Sequence, residues 1–234
     1  MKICVLNFSG NVGKSTVAAH LLQPRLKAPV FSVESVNVDA QSDGVDVERL
    51  RGRQFADLQQ RLMKLPDAIV DVGSSNIEEF LKLMQQYEDS QEDFDWFIVP
   101  VVKDAKQQAD TVNTVDALRA IGVPAAKIRV LINKVETDDD LRHDFANLYA
   151  FCQTGEATLP DRAVVYANEV FAGLKSKQMT IGDLDADTTD YRQKLREATN
   201  EVEQDAAINM IALKRLAKTC NKNLDAAYEA LFSA

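Results

Sequence analysis

The sequence is poor in residues that hold metals or form covalent staples. Its three cysteines, Cys4, Cys152 and Cys220, are scattered and odd in number. No CxxC pair occurs, so the spacing offers neither a disulfide framework nor a zinc site. Two histidines, His20 and His143, supply no ligand cluster. The expectation is a reducing compartment and a cytoplasmic protein. Long apolar runs are also missing. Nothing approaches the ~20 residues a membrane helix requires, and the most apolar stretch, Trp96 to Val102, contains Pro100. Ile3-Cys4-Val5-Leu6, behind a single lysine, is too short for a signal-peptide core. Positive charge is in deficit: 27 Lys and Arg stand against 36 Asp and Glu, a net charge of −9. That balance argues against a surface built wholly for a polyanion, although a local basic patch is compatible with it.

What is present suits one large α/β domain. The chain has 234 residues, 46% hydrophobic and 27% charged, enough to bury a sizeable core. No repeat, low-complexity tract or linker marks a second domain. A single domain is expected over 1–234, with a core over 1–185 and C-terminal helices over 186–234.

Apolar patterning gives the element order. Ile3 to Leu6 reads as a strand, followed by a loop and a helical segment, Val17 to Leu22. Val30 to Val38 is a second strand. Val47 to Leu65 is a helix stopped by Pro66. Ala68-Ile69-Val70 is a buried strand ending at Asp71, and Ile77 to Tyr87 is a helix. Trp96 to Val102, Ala105 to Ile121 and Ile128 to Ile132 then read as strand, helix, strand. Further on, Arg142 to Cys152 is helical, Ala163 to Tyr166 a last strand, and Lys175 to Asp187 a polar connection. Thr189 to Cys220 is a long helix, open to interruption, with a short one from Leu224 to Phe232. The apolar stripe Tyr191, Leu195, Ala198 and Val202 reads as core packing. Strands alternating with helices predict a doubly wound, mostly parallel sheet flanked by helices in three layers, and continuous apolar strands fit a sheet covered on both faces.

Gly10-Asn11-Val12-Gly13-Lys14-Ser15-Thr16 follows the first strand and opens the first helix, the context in which a phosphate loop works. Glycine lets backbone N–H groups turn inward around phosphates, and the helix N-terminus adds partial positive charge. Lys14 is placed to reach the β- and γ-phosphates, the Ser15 hydroxyl to ligate magnesium, and Thr16 to hold an α-phosphate oxygen.

This segment resembles the deviant Walker A loop of the ParA/MinD family, K-G-G-x-G-K-[ST], matching it at Gly10, Gly13, Lys14 and Ser15. Asn11 stands where the family has a glycine, a mild change because Asn tolerates positive φ. Phe8 replaces the first glycine of the general pattern. Ser9 replaces the signature lysine, which in the family reaches across a dimer to the partner's nucleotide. Loss of that cation implies slower phosphoryl transfer, by ~3 kcal/mol or on the order of a hundredfold. The lysine-lacking loop is most similar to StbB-type plasmid stability proteins.

Two acidic motifs extend the resemblance. Asn37-Val38-Asp39-Ala40-Gln41 is similar to the family's D-x-D-P-Q. It implies that Asp39 orients the attacking water and joins the magnesium shell, although an Asp beside Gln41-Ser42-Asp43-Gly44 also suits a solvated turn. Ala68 to Gly73 resembles a Walker B strand end delivering Asp71 to magnesium. Gly73-Ser74-Ser75 is similar to a γ-phosphate switch, with helix capping as the competing role for Ser74, Ser75 or Asn76. Asn133 matches the family's base-reading position. Asn133-Lys134-Val135-Glu136 also looks like the guanine motif N-K-x-D with Glu for Asp, so ATP is favoured and GTP stays open.

The resemblance implies an ATP- and magnesium-dependent switch that hydrolyses slowly, forms a nucleotide-dependent homodimer and serves a partner protein in plasmid or DNA partition or stability. Lys214, Arg215, Lys218 and Lys222 form a basic stripe that fits either non-specific DNA contact or a solvated helix face. Arg49, Arg51 and Arg53 follow the Asp39 motif. The competing class is a non-hydrolysing adaptor, favoured by Ser9 and Asn37. A ligase of the dethiobiotin-synthetase type lacks the Lys- or Thr-rich pocket it needs.

Overall fold

The computed structural model describes residues 1–33 and 52–233. Helix α3 is described over Gly52–Met63. Asp39, Asn37, Arg49 and Arg51 lie outside the described residues, as does the expected continuation of the second strand.

Strands β1 (Lys2–Val5), β2 (Val30–Val33), β3 (Ala68–Val72), β4 (Trp96–Val101), β5 (Ile128–Val135) and β6 (Val164–Tyr166) form one sheet in the order β2-β3-β1-β4-β5-β6. Every pairing is parallel, so connections must cross the faces and cover them. The strands' apolar residues therefore alternate between two buried clusters rather than between core and solvent. Cys4, Leu6, Val70, Phe97, Val99, Val130 and Ile132 face one layer. Ile3, Val5, Ile69, Ile98, Leu131 and Val165 face the other.

The first layer is built by α3 (Gly52–Met63), α4 (Ile77–Gln86), α5 (Ala105–Ala120), α6 (Leu141–Asp144) and α7 (Ala146–Gln153). On the opposite face lies one continuous helix made of α1 (Lys14–Thr16), a widened π turn (Val17–Leu22) and α2 (Gln23–Leu26). With it pack α8 (Val170–Ser176), α9 (Ile181–Ala186), α10 (Tyr191–Glu197) and α11 (Glu201–Phe232). The expected doubly wound α/β sandwich is the observed fold.

The sequence pattern and the structure part company in the C-terminal third. The stretch expected as a polar connection over 175–187 contains α9. A reciprocal capping box between Thr180 and Asp183 starts this short helix, and Ile181 and Leu184 anchor it in the core. The long helix breaks at 198–200, where Asn200 caps α11, and then runs through Asn221 to Phe232 without the expected second break. The stripe from Tyr191 to Val202 straddles this break, so it is not one helix face, and Val202 is 79% exposed. The helix over 142–152 is divided at Phe145, which is fully buried. β3 runs one residue past its expected end at Asp71, to Val72, and β5 three residues past Ile132, to Val135, which places Asp71 and Asn133 within strands. Among the described residues, no helix is long and apolar enough to cross a membrane.

Candidate functional site

At β1 the strand order reverses, with β2 and β3 to one side and β4, β5 and β6 to the other. Open α/β sheets bind ligands at the carboxyl ends of the strands beside such a point. The loop over residues 7–13 leaves β1 there.

Asn7 fixes the base of the loop. Its fully buried side chain donates to Pro100 O at 2.9 Å and to Thr111 Oγ1 at 2.8 Å, while its Oδ1 accepts from Ser9 N at 2.8 Å. Pro100 lies inside a central strand and lacks an N–H. Leu6 N still donates to Ile98 O, so the side of β4 that Pro100 shares with Ile98 faces β1 where β1 has already turned into the loop.

Beyond Asn7, side chains from both flanks hold the loop from Ser9 to Val12. From α5, Asp110 accepts a 2.5 Å hydrogen bond from Ser9 Oγ and Gln107 donates to Gly10 O at 3.1 Å. From the end of β5, Lys134 Nζ donates to Asn11 O at 2.6 Å and Asn133 Nδ2 to Val12 O at 2.8 Å. Asn11 adopts φ +59 and Gly13 φ +89, left-handed values that turn the backbone around the loop interior. Gly13 is the N-cap of the helix, so the N–H groups of the first turn lie at the end of the loop.

Lys14 is buried at 8% exposure, and its ammonium donates to Asn7 O at 3.0 Å and Ser9 O at 2.7 Å. Ser15 is exposed at the first turn. That turn lies alongside β3, where Asp71 is 5% exposed and in register with Val5, the last residue of β1. Gly73-Ser74-Ser75 closes this side of the site. A Cβ on Gly10 would lie 3.7 Å from Ser74 Oγ. Asn76 is the N-cap of α4 without a side-chain cap bond; its amide donates to Val33 O at 3.3 Å. The capping alternative for Asn76 is therefore not the role its side chain takes.

The structure brings Gly10 to Thr16 and Asn133 together at one edge of the sheet and places Asp71 on the neighbouring strand. Asn133 is 2% exposed, with Oδ1 accepting from Lys134 N at 3.0 Å, so its amide is engaged by the loop and its own neighbour. The basic stripe is split. Arg215, Lys218 and Lys222 are exposed, whereas Lys214 donates to Asp187 O, pairs with the Asp187 carboxylate at 3.5 Å and lies 5.1 Å from the Tyr191 ring. Hydrogen bonds from Thr189 and Tyr191 hold the Asp187 carboxyl well below the usual range, helped by Lys214.

Sequence reasoning gave no role to Asn7, Gln107 or Asp110, nor to Lys134 as a contact to the loop. One signal was present. Gln107, Asp110, Thr111 and Thr114 recur at helical spacing and make a polar face where apolar residues would be expected. Thr111 and Thr114 are fully buried there, and Thr114 Oγ1 accepts from Phe8 N at 3.1 Å.

Residues 3–181 match the CbiA family, the CobQ/CobB/MinD/ParA nucleotide-binding domain. The chain is similar in structure to the MinD cell division protein of Aquifex aeolicus, with TM-score 0.54, 11% identity, and 93% of this chain and 96% of that one covered. The septum site-determining protein MinD of Pyrococcus horikoshii, complexed with Mg-ADP, gives TM-score 0.52 at 13% identity over 95% and 98%. The pnob8 ParA gives 0.51 at 10% identity over 99% and 95%. At such identities the likeness shows the fold. No curated protein matches the sequence. With its phosphate-loop geometry and a match over most of its length, the chain belongs to the CobQ/CobB/MinD/ParA nucleotide-binding family.

Proposed function

We propose that the chain binds ATP with magnesium in the loop over 10–16 and works as a nucleotide-dependent switch of the ParA/MinD type. The observation that carries this reading is the Lys14 ammonium folded beneath a left-handed loop at the carboxyl edge of the sheet, 2.7 Å from Ser9 O. The donor set suits the ligand. Loop amides and Lys14 are complementary to phosphate oxygens, and the Ser15 hydroxyl with the Asp71 carboxylate suits a hard divalent cation. When bound, magnesium neutralises charge on the β- and γ-phosphates. The chain's own residues then divide the work: Lys14 holds the terminal phosphates, Thr16 an α-phosphate oxygen, and Asp39 orients water in line with the γ-phosphate. The Mg-ADP complex of the Pyrococcus horikoshii MinD supports this cofactor choice by kinship.

The family resemblance gives Asn133 a base-reading role, which its amide takes up only by giving up its bonds to Val12 O and Lys134 N; ATP is the nucleotide assigned, with GTP its competitor. The unit is a single domain over 1–234. In the cytoplasm, ATP engages Asp39 and the segment around Gly73, favours a face-to-face homodimer and exposes a surface for a partner protein of a plasmid or DNA partition or stability system. Arg215, Lys218 and Lys222 are the residues left to touch DNA.

Titration calorimetry with Mg-ATP and Mg-GTP tests binding. Lys14→Ala is expected to weaken it by on the order of a hundredfold, the loss of charge-assisted contacts to phosphate. Absence of heat for either nucleotide in the parent chain refutes the reading.

A second reading, a non-hydrolysing adaptor, is favoured by one observation. Ser9, at the signature-lysine position, is 6% exposed and bonded to Asp110 within its own chain. Turnover assays with Asp39→Ala as control separate the two. Nucleotide binding with no turnover above that control, with or without DNA, selects the adaptor.

A further inference from the structure

The residues that hold the loop lie outside its motif, and they do so from opposite flanks: Asp110 and Gln107 on α5, Lys134 and Asn133 at the end of β5. One of them is retained at a conformational cost. Lys134 has φ +57, a left-handed value that a long side chain adopts unfavourably, beside a register shift between Asn133 and Val135. Glycine would occupy that backbone without strain. A strained lysine whose ammonium reaches Asn11 O at 2.6 Å indicates that the contact matters more than local backbone comfort.

We propose that Gln107 and Lys134 are positioning residues that brace the phosphate loop from its two sides and set its affinity for nucleotide by preorganisation. Each bonds a carbonyl of the loop, Gly10 O and Asn11 O. With those oxygens drawn outward, the N–H groups of the same two peptides, on Asn11 and Val12, stay turned towards the loop interior, where a phosphate accepts from them. Ser9 completes the brace through Asp110, a partner in its own chain at the position where the resemblance expects a lysine for another copy. This inference rests on the nucleotide-binding reading above.

Mg-ADP titrated into the full chain tests it. Gln107→Leu and Lys134→Met are each expected to raise Kd about three- to tenfold. The double variant is expected to raise Kd further, by a factor that departs from the product of the two because both contacts hold adjacent peptides of one loop, whereas Lys134→Arg is expected to keep Kd near that of the parent. Lys134→Gly separates positioning from stability: it removes the strain together with the contact, so Tm is held or raised while Kd rises. Parent-like Kd in Lys134→Gly and Gln107→Leu overturns the proposal, as does a Kd that does not depend on the brace while Tm falls. Amide hydrogen exchange over residues 9–13 of the nucleotide-free chain gives a readout independent of ligand. Exchange is expected to quicken in both variants, and unchanged exchange refutes the brace. Absence of binding by the parent would instead refute the nucleotide reading.

Discussion

Gly13 and Asn133 leave no space for a side chain between them. A Cβ on Gly13 would fall 2.2 Å from Asn133 Nδ2, and Gly13 itself has φ +89. This contact joins the end of the loop after β1 to the end of β5, across the intervening β4. Gly13→Ala therefore meets two penalties. Left-handed backbone costs an alanine ~1 kcal/mol, and displacing the Asn133 amide from Val12 O costs ~1 kcal/mol more. The expected result is a Tm lower by about 4–8 °C together with weaker nucleotide binding. Parent-like melting and affinity would show that the loop tolerates the extra carbon.

Ser9 offers a test of turnover. Its hydroxyl is 2.5 Å from Asp110 Oδ2, so a lysine introduced there meets a carboxylate at the mouth of the loop. Ser9→Lys alone is expected to form an internal ion pair and change the rate little. Ser9→Lys combined with Asp110→Asn frees the ammonium, and the rate is expected to rise by about tenfold to a hundredfold at protein concentrations that favour pairing. The assay is steady-state phosphate release at several chain concentrations. A rate unchanged in the double variant would mean that the missing lysine is not what limits this chain.

The parts of the molecule legible in the sequence are those whose signal is local. Continuous apolar runs gave the strands because both faces of a parallel sheet are buried, and Gly10 to Thr16 is a contiguous string between a strand and a helix. Asn7 was invisible because its partners, Pro100 and Thr111, are 93 and 104 residues away. Gln107 and Asp110 looked like ordinary surface polar residues of a helix; only the buried Thr111 and Thr114 beside them mark that face as structural. Helix α9 escaped because a six-residue helix held by a capping box and two apolar residues carries too few turns for periodicity to register. The long reach of α11 past Asn221 follows from tertiary burial of Leu224, Ala227 and Leu231, which outweighs the weak local propensity of Asn221 and Asn223.

His20 ties the π turn to α9. Its Nδ1 accepts from Ile181 N at 3.2 Å, and its ring centroid lies 5.4 Å from that of Phe171. Burial lowers its pKa from the ordinary value, with the Asp183 charge opposing. Because the folded pKa lies below the unfolded one, protonation favours unfolding. The stability His20 contributes is complete above the ordinary histidine pKa of about 6.5. It is lost as pH falls from there through the lowered folded value. His20→Asn keeps an acceptor for Ile181 N and removes the titration. Melting curves at about pH 7.5 and about pH 5 should show a smaller loss of Tm in the variant than in the parent. Equal losses would place the acid sensitivity elsewhere.

The basic residues of α11 are expected to divide by role. Lys214 is anchored to Asp187 and Tyr191, so Lys214→Met removes a partly buried ion pair between α11 and the C-cap of α9. It should lower Tm by about 2–4 °C, for a loss of ~1 kcal/mol, without altering any salt-dependent association. Arg215, Lys218 and Lys222 are exposed, so reversing all three to Glu should leave Tm nearly unchanged. If they contact phosphates, the same reversal lowers affinity for non-specific duplex DNA by more than tenfold at low salt and flattens the log–log salt dependence by about 0.9 for each lost phosphate contact. Fluorescence anisotropy with labelled duplex across a salt series reads both quantities. A slope identical in parent and triple variant would remove DNA from this face and leave the residues as a solvated surface on an acidic protein.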